Sequence, residues 1–478
     1  MNRINWTVFF LFLAVIVGLN AFRLFLVNNE LVYNHSWGEA IYAHWTRGWI
    51  EEGLFWGWRY YDNKYYGFPN YVPFASMFSL GTYHVFGSES FVLWGRALSY
   101  TASLGAQVLF YFSLQRLGAR PLLAAGAVIL LFFNPLVVWH TMSFYNEPLS
   151  FLIQATLLYR YLKGRSELQS YRRDLVDFAL IVVWGLLKPT NLVGPGLYVI
   201  FRFVLVPDVS TLRELRSYIA GGTFVFLFVV ANRLIPIPDS ALIGVDRWIW
   251  SIDNPKQVLA RVMDGLKLEM GALYYLAVPA AIYASAKVKD PTNLFLLSHL
   301  VGASIVCIIF APGMIIHKYY ALPICIPIAA CVVQLVNELK LPGRWALAVS
   351  SFIGFLPLLW VLEVQKRLSP EFPVEGPAAV RYLREVATGK PCYAHVSAPV
   401  PIHDYYIWRA CDFYLDEPAF WKRVEKSLQA KQSFTSLIWV QNSQHGFRPD
   451  PACSITKFGG THEVLQCSFG SARGASIR

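Results

Sequence analysis

Four groups of polar side chains in this chain of 478 residues stand at the edges of long apolar runs. Charge there is costly, and it marks functional candidates by default. Glu39 follows the first run, in "NHSWGEAIYAHWTRGWIEEG" (Asn34 to Gly53), among His35, Trp37, Tyr42, His44 and Trp45. Glu147 opens a later run in "SFYNEPLSF", and Lys188 ends the next in "GLLKPTN". His317, Lys318, Tyr319 and Tyr320 open another in "GMIIHKYYALPICIP". A positioned carboxylate can serve as a general base, worth about 10²–10⁴-fold in rate. Ammonium groups can hold an anion whose charge grows in a transition state. Lys318 and Lys188 are the candidates for that role, with His317, Tyr319 and Arg59 behind them. Each group also has a structural reading. Glu39 fits a solvated position on an interfacial helix, and Glu147 a first-turn acid beside Pro148. The lysines fit snorkelling anchors, and the tyrosines an aromatic belt. His35, His44 and His317 share no HxxxH or HxH spacing, so a divalent metal site stays an alternative and not the leading expectation.

The elements that would position these groups are membrane spans. The chain is 55% hydrophobic and only 15% charged, against roughly 25% charged for soluble domains. Apolar runs of about 20 residues, each long enough to span as a helix, recur along it. About eleven spans are expected, the first over Trp6 to Val27 and read as a retained anchor because no small-residue cleavage site follows. The others centre near Ala106, Leu130, Gln154, Val182, Val199, Val225, Val278, Ala303, Ala329 and Phe355.

Basic residues set the orientation. With the N terminus cytoplasmic, Arg116, Arg120, the stretch from Tyr159 to Asp174, Arg213, Arg216, Lys287, Lys289, Lys340 and Arg344 all lie inside. The net charge of +11 is therefore topology and anionic lipid rather than nucleic acid. No Walker loop, GxGxxG fingerprint or zinc-type cysteine spacing is present.

The resulting organisation is a transmembrane domain over 1–365 and an extracytoplasmic domain over 366–478. Outer loops are expected at 28–88 and 234–270, with Pro69 and Pro73 breaking the first between interfacial helices. The tail reads as a small α/β domain: helices in "GPAAVRYLREVA" and "EPAFWKRVEKSLQA", strands in "PCYAHV" and "FTSLIWVQN". Its Cys392, Cys411, Cys453 and Cys467 permit disulfides in three pairings, while Cys307, Cys325 and Cys331 read as packing residues.

Taken in order, the four groups resemble the GT-C glycosyltransferases, in particular the protein O-mannosyltransferase and aminoarabinose-transferase group. The pattern "DEA-YA" after the first span is similar to "GEAIYA", with Glu39 matching the second acid and Gly38 standing for the first. An acid-Pro-Leu step matches Glu147 to Leu149, a "KPT" step matches Lys188 to Thr190, and "H-YY-LP--P" matches His317 to Pro327. The family's Glu-Lys before a first-loop proline is replaced by Gly67 and Phe68 before Pro69, with Lys64 nearby. The likeness covers about the first 340 residues.

That resemblance implies a GT-C fold and an inverting transfer of sugar from a polyprenyl-phosphate donor to a lipid, glycan or protein acceptor; no cofactor is expected, a divalent metal being the alternative. Glu39 would lead as base, Glu147 would follow it, and His35, Trp37, Tyr42 and Tyr320 would contact substrate. The compact loops suit a bacterial inner (plasma) membrane. Two other readings stay open: a transporter or flippase of lipid-linked saccharide, for which no internal repeat is evident, and an inactive assembly subunit, which Gly38 keeps open.

Overall fold

The computed structural model describes residues 6–24, 42–43, 45–50, 57–59, 65–67, 72–87, 91–140, 143–164, 171–205, 209–234, 255–311, 318–360, 375–387, 390–395, 411–414, 417–439, 451–458 and 462–469. They fall into two compact units, one of Met1–Asn28 with Gly67–Lys366, the other of Asn29–Tyr66 with Arg367–Arg478.

The first unit is helical. Its helices are α1 (Trp6–Leu24), α2 (Phe74–Phe86), α3 (Phe91–Arg116), α4 (Pro121–Phe132), α5 (Pro135–His140), α6 (Glu147–Gly164) and α7 (Tyr171–Leu187). There follow α8 (Val193–Leu205), α9 (Val209–Leu234), α10 (Pro255–Met270), α11 (Ala272–Ala286), α12 (Pro291–Ile309), α13 (Leu322–Glu338) and α14 (Gly343–Phe355). Their ends follow local chemistry. Asp290 caps α12, accepting from Thr292 N at 3.2 Å, and Pro291 takes a first-turn position whose N–H would have no partner. Gly118, at φ +86°, turns the chain between α3 and α4.

Among the described residues, three stretches are long and apolar enough to cross a bilayer: Glu214–Ala231, Pro291–Ile309 and Lys318–Glu338. The apolar run near Leu130 differs from the single expected span. It is divided at Asn134, which donates to Met270 O and accepts from Leu136 N, so α4 has only 12 residues. The run near Val199 yields 13 residues in α8. The expected outer loops also contain helix, α2 in the first and α10 in the second. α10 is amphipathic, burying Val262, Leu266, Glu269 and Met270 while Leu259, Met263 and Leu268 stay exposed.

Polar groups sort to the two ends of this bundle. At the end formed by the C-terminal half of α6 and the start of α7, Arg160 pairs with Asp177 at 2.5 Å. Arg202 pairs with Glu214 at 3.1 Å and Lys287 with Glu338 at 3.2 Å at that same end. At the opposite end, the one-turn 3₁₀ helix Lys318–Ala321 is pinned to α10 by Lys318 Nζ and Glu269 Oε1, 2.9 Å apart. In the middle, α8 crosses α12 at a pair of glycines. A Cβ on Gly302 would stand 2.5 Å from Gly194 N, so only glycine permits this approach.

The second unit contains the tail. Helices α15 (Glu375–Val386) and α16 (Glu417–Gln429) accompany strands β3 (Cys392–His395), β4 (Asp412–Tyr414), β5 (Phe434–Trp439), β6 (Cys453–Phe458) and β7 (His462–Cys467). A separate ribbon pairs β1 (Gly57–Arg59) with β2 (Tyr65–Gly67). The five-stranded sheet has the order β4-β3-β5-β7-β6. β3 runs parallel to β4 and β5, and β7 antiparallel to β5 and β6. Both helices and the first two long strands lie where the sequence pattern puts them; β4, β6 and β7 are additional. Disulfides join Cys392 to Cys411 and Cys453 to Cys467, whereas Cys307, Cys325 and Cys331 are buried and free.

Two outcomes follow for stability. Gly302→Val should force the α8–α12 crossing apart and destabilise by roughly 1–3 kcal/mol, whereas Gly196→Ala, with nothing within 4 Å of its added Cβ, should be neutral. Thermal unfolding in detergent measures both. Lys318→Met breaks an ion pair whose carboxylate is only 3% exposed and should lower stability. The double variant Lys318→Met with Glu269→Gln should recover much of it in a double-mutant cycle.

Candidate functional site

Glu147 and Lys188 are distant in sequence and meet at one end of the first unit. Asn146 precedes α6, and its side chain clamps the segment entering α2. Its Nδ2 donates to Val72 O at 2.8 Å, and its Oδ1 accepts from Ala75 N at 3.2 Å. Val72 N in turn donates to Leu186 O at 2.6 Å, joining this clamp to the end of α7. Lys188 follows directly, extended at φ −167° as a residue before proline prefers. A 3₁₀ turn, Pro189–Leu192, then leads into α8.

The Lys188 Nζ lies 3.8 Å from Glu147 Oε1 and 3.9 Å from the ring centroids of both Tyr319 and Tyr320. The ammonium is thus balanced by one carboxylate and two π faces, an arrangement that compensates charge in a dry setting. No acceptor among the described residues lies within hydrogen-bonding distance of Lys188 Nζ.

The four residues border a partly open cleft. Ser150, Gln154, Trp184, Asn191 and His299 line it as well. Ser150 Oγ accepts from Trp184 Nε1 at 2.7 Å and from Asn191 Nδ2 at 3.1 Å, locking the ends of α6, α7 and α8 together. His299 stacks on Trp184 with centroids 6.0 Å apart. Gln154 Nε2 donates to Pro323 O at 2.8 Å and ties α6 to the start of α13.

Of the residues singled out by sequence, Glu147, Lys188, Tyr319 and Tyr320 come together here. Lys318 is directed elsewhere, into its pair with Glu269. Tyr42 belongs to the second unit, where it is buried and meets Trp45 edge-on at 5.3 Å. Glu39, His35, Trp37, His317 and Lys64 lie outside the described residues, and Arg59 is described for its backbone in β1 only. Sequence reasoning did not single out Asn146, Gln154, Asn191, His299 or Glu269. A histidine and a glutamine inside otherwise apolar helices were the available signal. Among the described residues, no three His, Cys, Asp or Glu side chains converge to hold a metal.

No family model and no curated protein matches the sequence. Solved structures do. ArnT from Cupriavidus metallidurans in the apo state superposes with a TM-score of 0.61 at 14% identity, covering 95% of this chain and 97% of that one. The same protein bound to undecaprenyl phosphate gives a TM-score of 0.60 at 15% identity and equal coverage. The oligosaccharyltransferase of Archaeoglobus fulgidus in its apo form gives a TM-score of 0.54 at 12% identity over 84% of this chain. This chain spans 66% of that enzyme's length. The likeness is one of architecture, and the architecture is the GT-C fold that the four short motifs resembled.

Proposed function

We propose that the protein is a membrane glycosyltransferase, of about eleven spans, that moves a sugar from a polyprenyl-phosphate donor to a lipid, glycan or protein acceptor. One observation carries the reading: a lysine ammonium is held by Glu147 and two tyrosine rings beside a cleft. The fold supports it, because ArnT in that fold has been solved with undecaprenyl phosphate. AglB from Archaeoglobus fulgidus, similar at a TM-score of 0.58 and 11% identity, has been solved with a dolichol-phosphate and an inhibitory peptide.

In this reading an acceptor hydroxyl oxygen attacks the anomeric carbon from the side opposite the phosphate. The bond from that carbon to the phosphate oxygen breaks, and the phosphate leaves with the electron pair. A carboxylate takes the hydroxyl proton, Glu39 first and Glu147 second. Lys188 meets the charge growing on the phosphate, and because Lys318 is committed to Glu269, Lys188 leads of the two. The positive-inside bias and two disulfides in the tail support an extracytoplasmic site in a bacterial inner membrane. A second reading, an inactive assembly subunit, is favoured by Gly38 where the resemblance expects an acid.

Transfer of label from radiolabelled polyprenyl-phosphate hexoses in membranes tests both. Wild type should label an acceptor, and Glu39→Gln should lower the rate by about 10²–10⁴-fold. Lys188→Met should cost on the order of 10²-fold. A wild-type protein that binds the lipid and transfers nothing from any donor would leave the subunit reading in place.

A further inference from the structure

Helix α10 has a side that neither the cleft nor the packing of the first unit uses. Lys256, Leu259, Met263 and Lys267 follow one another at intervals of three, four and four residues, so they share one stripe along the helix. All four are exposed, and neither lysine has an ion-pair partner among the described residues. The exposed acid of this helix, Asp264, lies off the stripe, and Glu269 is buried against Lys318. The direction of the stripe is fixed from the other side. Gly265 leaves room for the Lys318 side chain, whose Cε would stand 3.1 Å from an added Cβ, and that lysine continues to Glu269. One residue further on, Met270 O accepts from Asn134 Nδ2. Pinned at these points, α10 cannot roll to bury Leu259 and Met263.

The neighbouring helix shows what medium lies beside it. α11 starts directly after Gly271, carries no charged side chain, and exposes Tyr275, Val278 and Ile282 at helical spacing. In a membrane protein such an outward apolar stripe meets acyl chains, so lipid begins where α10 ends. Apolar side chains bracketed by lysines suit the boundary layer just above those chains, where the lysine stems lie along the apolar zone and the ammonium groups reach phosphates. Each basic residue near an anionic lipid surface strengthens the attraction about fivefold. We propose that α10 is a lipid-docking helix, in which Leu259 and Met263 enter the headgroup boundary while Lys256 and Lys267 hold the phosphates of anionic phospholipids. The docking holds whichever reaction the cleft carries out.

Photoactivatable phosphatidylglycerol and phosphatidylcholine, each reactive near the glycerol, are compared in nanodiscs holding the full-length protein, and labelled peptides are mapped by mass spectrometry. Exposed Phe224, Phe226 and Leu227 on α9 report the general lipid annulus. In wild type, the ratio of phosphatidylglycerol to phosphatidylcholine label on Pro255–Met270 should exceed the ratio on α9 by at least about fivefold. Lys256→Gln with Lys267→Gln should bring it down to the α9 value. Leu259→Ser with Met263→Ser should reduce labelling of α10 by both lipids. The substituted positions are exposed, so every variant should keep wild-type melting in detergent and wild-type label on α9. An α10 that takes no label from either lipid while α9 is labelled would overturn the docking. Equal labelling by both lipids, unchanged by the lysine substitutions, would overturn it too, leaving an apolar contact without selection for charge.

Discussion

A largely buried ammonium group has to be compensated, and the way Lys188 is compensated organises the first unit. Its carboxylate comes from the first turn of α6 and its two rings from the turn before α13, so three distant segments must close on one atom. The partners are close enough to stabilise the charge, yet none accepts a hydrogen bond from it. Lys318 shows the contrast. At 2.9 Å from a buried carboxylate, it spends a donor on the fold and fixes the turn that carries Tyr319 and Tyr320. One lysine is held by a carboxylate and two rings, and the other fixes the turn that supplies those rings.

The cleft beside Lys188 depends on close backbone packing in its own wall. Gly194 and Gly302 let α8 and α12 touch, and a Cβ on Gly194 would stand 2.9 Å from His299 Cα. That contact brings the imidazole against Trp184, whose indole N–H is already given to Ser150. Small residues at a helix crossing thus have a consequence several residues away, in the polar lining of a cavity.

Much of this was legible in the sequence, because apolar runs and prolines punctuate it strongly. The motifs around Glu147, Lys188 and Tyr319–Tyr320 pointed to one end of the bundle, and those residues meet there. What was not legible is pairing across distance. Nothing local distinguishes Lys188 from Lys318, and which of them faces Glu147 depends on the turn that orients Lys318 toward α10. The helix α10 was hidden because its polar and exposed apolar residues dilute the hydrophobic run. In the tail, β7 is specified by pairing with β5, and β6 by pairing with β7, more than by their own composition. Hydrogen-bond polarity was also invisible: Gln154 and Asn191 become acceptors toward the cleft only because carbonyl groups elsewhere take their N–H groups.

A fold shared at 11–15% identity is easier to understand in these terms. Lipid places no demand on a helix surface beyond being apolar, so Phe224, Phe226 and Leu227 on α9 can be exchanged for other apolar residues with little consequence. The demands fall on the few positions where charge must be neutralised or a backbone must approach. In this chain those are the surroundings of Lys188, the crossing at Gly194 and Gly302, and the ion pairs at the opposite end. Motifs of three or four residues are what such a constraint leaves behind. Their order along the chain therefore says more about the architecture than overall identity does.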